Sequence, residues 1–421
     1  MHPDRTLDPH RWLAFAVFAA IYFFVYFHRV STSVIAPDLL ASFQASATAL
    51  GFMSSMYFYL YSFEQPLVGY LSDVLGARRV IGFWSLIAAA GCLLFGLAPT
   101  MTWAAAGRGL IGFGVGGVYV PAMKALSQWF LKRDLGAMTG CLIAVGNVGA
   151  LVATTPLAWL AGGWGWRSAF FVIGAVTLGL SLVALLFIRD PGNLPEDQSA
   201  RGREMEAQVS ISDVFASARF WIFAFIFFGV FGGSVALQGL WATPFVMSVL
   251  GFDQYRASLV NMLIPLGYIF GAPFFGWLGD RLFRHRIDLI ISLLAALTAL
   301  WLAITFLGGT LGVGGMITVF TLVGAVCGGM GTSLWATVLQ STPQSMLGLT
   351  TGSLNPFPLL GMAVMQSWTG TVLDRTGKVG ALYPPEAYRN AFAYCLVAAA
   401  LCLALCILSR RRLIASNSNS L

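Results

Sequence analysis

The chain is 421 residues long, 58% hydrophobic and only 10% charged, with a formal net charge of +7. Soluble domains carry about 25% charged residues, so a soluble enzyme is excluded and a membrane protein is indicated. The basic residues do not gather on one stretch of chain, which argues against a nucleic-acid partner.

The N-terminal segment MHPDRTLDPHRW carries acids and prolines and no small-residue cleavage site. The first apolar run is therefore expected to stay as a helix and not to leave as a signal peptide. Apolar runs follow at 12–36, 52–71, 80–98, 102–126, 137–160 and 167–188. After a polar interruption they resume at 219–243, 256–278, 288–308, 313–339, 347–372 and 388–408. A span needs about 20 residues, and the longer runs imply tilt. The pattern predicts an all-α membrane protein of twelve transmembrane helices in two six-helix bundles, residues 1–188 and 220–421. Residues 189–219, including PGNLPEDQSARGRE, read as a flexible cytoplasmic linker.

Basic residues orient the array. With the N-terminus inside, sixteen of the 24 Lys and Arg, from Arg5 and Arg11 through Arg78, Arg79, Lys132 and Arg133 to Arg410, Arg411 and Arg412, fall on the cytoplasmic side. Only Arg167, Arg256, Arg375, Lys378 and Arg389 fall outside. That asymmetry satisfies the positive-inside rule for a multi-pass protein of a bacterial inner membrane with both termini cytoplasmic. The six cysteines lie in apolar stretches with no CxxC, so no disulfide, metal or cofactor is expected.

The halves repeat. Gly69-Tyr-Leu-Ser-Asp73-Val-Leu-Gly-Ala-Arg78-Arg79 follows the second span, and Gly276-Trp-Leu-Gly-Asp280-Arg-Leu-Phe-Arg-His-Arg286 follows the eighth. Thr139-Gly140 is echoed by Thr351-Gly352 at nearly the same offset. Repeated halves around a midplane site mark secondary transporters. The loop GYLSDVLGARR resembles the signature loop of the major facilitator superfamily. Gly107-Arg108-Gly-Leu-Ile-Gly112 and Gly165-Trp166-Arg167-Ser-Ala-Phe are similar to two further regions of that family. The resemblance implies two bundles rocking around a central cavity. It also implies cytoplasmic latches formed by Asp73 and Asp280 with Arg78, Arg79 and Arg286. The fifth span, Gly146-Asn147-Val-Gly149…Pro156, departs from the Gly-Pro pattern of drug/proton antiporters in the family; Asn147 reads equally as a cavity or a packing residue.

Five ionisable side chains fall well inside spans: His28, Arg29, Glu64, Arg108 and Lys124. Each costs at least ~2.5–3.5 kcal/mol on lenient insertion scales, so each needs a role. The balance of three cations, one acid and one imidazole favours an anionic guest. Tyr22, Tyr26, Arg29 and Ser33 share a helical face, and a guanidinium fork suits a carboxylate. The segment also resembles the first helix of organic-anion carriers of the family, in which an Arg binds the substrate. A phosphate ester is less favoured, because Phe220–Leu240 contains no second basic residue. Glu64, on a face with Tyr57 and Tyr61, either carries a proton or pairs with Arg29 or Arg108. His28 either exchanges the coupling proton or simply packs. Arg108 is assigned to proton coupling or cavity charge, and Lys124 to the membrane interface. Gln65, Gln238, Trp241 and Trp335 complete the candidate substrate contacts; Asn261 and Asn355 read as kink caps beside prolines.

Gly107-x-Gly109-x-x-Gly112 formally matches a dinucleotide fingerprint but lacks the βαβ context. No Walker A sequence occurs, so no enzyme activity is expected. The expected function is alternating-access transport of a small organic anion, a carboxylate, coupled to protons or sodium, by a monomer in the lipid bilayer. The alternative is a proton-driven exporter of drugs, siderophores or other metabolites. A sensor or a channel is disfavoured, since no signalling domain or repeated ring of charge is present.

Overall fold

The computed structural model describes residues 10–189, 211–343, 346–378 and 382–415. The residues that would form most of the expected linker, and Arg5, lie outside these. Every regular element among the described residues is a helix. In chain order they are α1 (His10–Ser42), α2 (Ala47–Leu75), α3 (Ala77–Leu97), α4 (Met101–Gly116), α5 (Tyr119–Trp129), α6 (Lys132–Val152), α7 (Thr155–Trp164) and α8 (Trp166–Phe187). After these come α9 (Ile211–Ala216), α10 (Ala218–Ala236), α11 (Ala242–Leu250), α12 (Gln254–Asn261), α13 (Leu263–Arg281), α14 (Arg286–Leu302), α15 (Gly312–Ser341), α16 (Leu347–Leu354), α17 (Pro356–Thr376) and α18 (Pro385–Ala415).

Ten helical stretches among the described residues are long and apolar enough to cross a membrane. Several join two of the elements above: Met101–Trp129 runs through α4 and α5, and Ala218–Leu250 through α10 and α11. Outside the ten are α2, whose tyrosines, serines and Glu64 lower its hydropathy, the short α7, and the α16–α17 pair, broken where Pro356 offers no backbone donor. α9 falls within the segment read as linker from its polarity.

Contacts divide the chain into two compact units, residues 1–35 with 56–199 and residues 36–55 with 200–421. In the first, glycine lets α4 lie directly against its neighbours. A Cβ at Gly112 would run into the Tyr57 carbonyl of α2, and one at Gly114 into the α3 backbone at Ala88. The glycine spacing that imitates a nucleotide motif is therefore helix packing. In the second unit, a π-helical turn at Leu237–Trp241 joins α10 to α11, a break of the kind that re-aims side chains inside a helix.

Candidate functional site

Within the first unit, α1 brings Tyr22, Tyr26 and Arg29 to one face at helical spacing. The Arg29 guanidinium carbon lies 4.5 Å from the Tyr26 ring centre and 5.9 Å from that of Tyr61. Tyr22 packs edge-on to Tyr26 at 5.4 Å and stacks on Tyr119 at 5.6 Å. From α6, Gly146 backs this ring: a Cβ there would meet Tyr22 at 2.9 Å and Tyr26 at 3.0 Å. Ring faces stabilise a cation without neutralising it. Among the described residues no carboxylate pairs with Arg29, its Nε has no hydrogen-bond partner, and the side chain is half-buried.

Arg108 lies one step deeper and is fully buried. Its Nη2 donates to the His28 carbonyl at 2.9 Å, and its guanidinium carbon is 5.0 Å from the Tyr57 ring centre. Its Nε and Nη1 have no partner among the described residues. Tyr57 in turn donates its hydroxyl to the Val25 carbonyl at 2.8 Å. α1, α2 and α4 are thus tied together around one unneutralised cation. His28 points away, with Nε2 3.6 Å from the Cys92 sulfur on α3 and no partner for Nδ1 among the described residues.

Glu64 pairs with neither arginine, which removes that alternative. Its Oε2 accepts a 2.6 Å hydrogen bond from the Trp84 indole, while its buried Oε1 has no partner among the described residues. Gly116, at the end of α4, leaves the room this carboxyl occupies: a Cβ there would collide with Oε1. Gln65 donates to the Gly116 and Tyr61 carbonyls, both at 3.3 Å. It does so in the turn where Pro66 provides no backbone donor.

The candidates of the second unit form a separate group. Trp241, on the π-helical turn, is fully buried and donates its indole N–H to Thr369 at 2.8 Å. The Gln238 carbonyl accepts from Asn261 at 3.3 Å, and Trp335 packs on Phe227 at 4.7 Å. Of the latch residues, Asp280 pairs with Arg286. The ion-pair partner of Asp73 is a correction to the expected grouping: it is Lys124, at 2.7 Å, whose ammonium also donates to the Ser72 carbonyl at 2.8 Å. Arg78 reaches instead to the Ile188 carbonyl at 3.0 Å, and Arg79 is exposed.

Two residues of this site carry no distinguishing sequence signal. Tyr119 shares a helical face with Arg108 but is separated from it by the α4–α5 break, and Trp84 is one tryptophan among 13. A third unanticipated feature belongs to the second unit. Asp374, in the last turn of α17, accepts from the backbone N–H groups of Ala47 at 2.9 Å and Thr48 at 2.7 Å, and from the hydroxyls of Thr48 and Tyr383. Nearby, Ser55 donates to Gly51 and Ala363, and its hydroxyl lies 2.8 Å from that of Ser367.

The profile of the Major Facilitator Superfamily matches residues 18–364, and the chain belongs to that superfamily. It is a multi-pass membrane protein of the transporter class. Over 292 residues it is 26% identical to the "Probable sulfoacetate transporter SauU" of Cupriavidus necator, covering 67% of this chain and 68% of that protein. Over 337 residues it is 25% identical to the "Hexuronate transporter" of Escherichia coli K12, covering 75% and 74%. Its fold matches the crystal structure of a bacterial homolog to the human lysosomal transporter Spinster, inward-facing and occupied, with a TM-score of 0.79 and 17% identity over 96% of this chain and 98% of that one.

Proposed function

We propose that the chain carries a small organic anion, a carboxylate, across a bacterial inner membrane by alternating access coupled to proton movement. One observation carries this reading: Arg29 is half-buried, ringed by tyrosines and unmatched by any carboxylate among the described residues. A guanidinium in that setting gains most from a guest bringing its own negative charge and two acceptor oxygens. The activities for which the two relatives are named, sulfoacetate and hexuronate transport, concern organic acids and support the same class. Tyr22, Tyr26, Tyr57 and Tyr61 supply the aromatic walls around Arg29, and Glu64, with one oxygen unpartnered, takes and releases the coupling proton.

Uptake of radiolabelled glucuronate and sulfoacetate into proteoliposomes under an imposed pH gradient tests the proposal. Arg29→Gln abolishes accumulation while the protein still inserts and elutes as a single species. Uptake unchanged in that variant overturns the anion reading. Resistance to hydrophobic toxic compounds on overexpression, without uptake of acids, establishes the exporter instead.

A further inference from the structure

At the turn between α13 and α14 the second unit forms an open cavity of about 220 Å³. Its lining is mainly polar and includes Arg284, His285 and Arg286, with Phe283 and Ile414 as partly exposed apolar side chains. The two nearby carboxylates are already engaged. Asp280, which also lines the cavity, pairs with Arg286. Asp288 is held by Arg410, which donates through Nε at 2.6 Å and Nη2 at 3.0 Å. Arg284, Arg411 and Arg412 are exposed and have no carboxylate partner among the described residues. The local charge is therefore strongly positive after all pairing is counted. The first turn of α14 adds to it, because its N-cap residue His285 makes no side-chain cap and leaves backbone N–H groups to point outward.

The cavity also sits where membrane-spanning helices end: α13 stops at Arg281, α14 begins at Arg286 and α18 stops at Ala415. That is headgroup depth. A free inorganic anion would need only the basic wall. Phe283 and Ile414, both partly exposed, suit a ligand whose charge is attached to something apolar.

We propose that this cavity binds the phosphate of an anionic phospholipid headgroup, with Arg284 and the α14 N-terminus on the phosphate and Phe283 and Ile414 along the start of the acyl chains. Arg284, Phe283 and Ile414 have no part in the proposed substrate or proton path, whereas Asp280 and Arg286, which also line the cavity, belong to the expected cytoplasmic latch. Arg286 and Asp280 act here as a neutralised pair that leaves Arg284 free.

The test uses the full-length protein, stripped of lipid in detergent and titrated with short-chain phosphatidylglycerol, phosphatidylcholine or inorganic phosphate, read by native mass spectrometry. Phosphatidylglycerol binds and phosphatidylcholine does not. Arg284→Gln weakens binding about fivefold, and Arg284→Gln with Arg411→Gln about 30-fold, at the strength expected of one arginine each near an anionic headgroup. Arg256→Gln, at the start of α12, leaves it unchanged. A second measurement needs no variant: affinity of the native protein for phosphatidylglycerol falls as salt is raised. Equal binding of the two lipids, equal binding by the double variant, or salt-independent affinity overturns the proposal. Displacement of the lipid by millimolar inorganic phosphate would assign the cavity to a soluble anion and overturn it as well.

Discussion

The cluster around Arg29 and the one around Asp374 treat charge in opposite ways. Asp374 sits in the last turn of α17, where a carboxylate is opposed by the dipole of its own helix. It is turned toward the start of α2, where three donors and the Tyr383 hydroxyl satisfy it and the helix dipole favours it. Around Arg29 and Arg108 the donors outnumber the acceptors. Arg29 Nε, Arg108 Nε and Nη1, and His28 Nδ1 lack partners among the described residues, and Glu64 keeps one idle oxygen. Buried polar groups are ordinarily hydrogen-bonded, so each exception calls for a reason. A satisfied cluster holds chain to chain, whereas an unsatisfied one has capacity for something that is not part of the chain.

The sharpest way to break this contrast is to keep the charge at Arg29 and remove its shape. Arg29→Lys retains the cation but loses the planar fork. Transport is expected to fall at least tenfold, against complete loss in Arg29→Gln, measured as initial uptake rate in proteoliposomes. Full activity in the lysine variant would mean that only charge matters, and the fork would drop out of the account. Glu64→Gln comes next. The amide oxygen can still accept from Trp84, so the fold is retained, but no proton can be exchanged. Substrate counterflow is expected to persist while accumulation driven by a pH gradient disappears. Gradient-driven uptake intact in this variant would move the coupling proton elsewhere, His28 being the first place to look.

A smaller effect tests whether the cluster depends on close helix approach. Gly112→Ala pushes a methyl into the Tyr57 carbonyl, whereas Gly136→Ala on α6 meets nothing within 4 Å. Overpacking of this kind costs about 1–3 kcal/mol, and replacing an unencumbered helical glycine gains about 0.5–1 kcal/mol. The two variants should therefore shift the thermal unfolding midpoint in opposite directions. Shifts of the same sign would show that the contact of α4 with α2 is looser than the geometry implies.

How far the sequence reveals all this depends on the range of the interaction. Hydropathy and helical period are local, and they disclose the helical, membrane-spanning character together with the Tyr22–Tyr26–Arg29 face. Helix interruptions are partly local: Pro356 marks one, while nothing in LQGLW announces a π-helical turn. Contacts between distant segments are not local at all. The pairing of Glu64 with Trp84, of Arg108 with the His28 carbonyl and of Asp73 with Lys124 depends on how helices pack, and periodicity along one helix carries no information about its neighbour. Asp374 did leave a trace, since an acid in a helix's last turn is misplaced with respect to that helix and implies service to another.

That trace leads to the smallest effect and the most specific sign. Partial burial pushes the Asp374 carboxyl up, but the hydrogen bonds from Thr48, Tyr383 and the Ala47 and Thr48 amides outweigh it and hold the carboxyl below the usual aspartate range. A carboxylate stabilised in the folded state adds stability that is fully present above its unfolded pKa, about 3.9. The contribution is lost as the pH falls through the lower, folded value. Asp374→Asn removes the charge and at pH 7 should cost about 1–2 kcal/mol, the range for a helix-capping carboxylate with charged hydrogen bonds. The gap in unfolding midpoint between native protein and variant should then narrow below about pH 4, because acid protonates the native residue and turns it into a near equivalent of the variant. A gap that stays constant into acid would mean the carboxylate contributes by shape and not by charge. Asp374 would then no longer serve as the neutralised counterpart to the unneutralised Arg29.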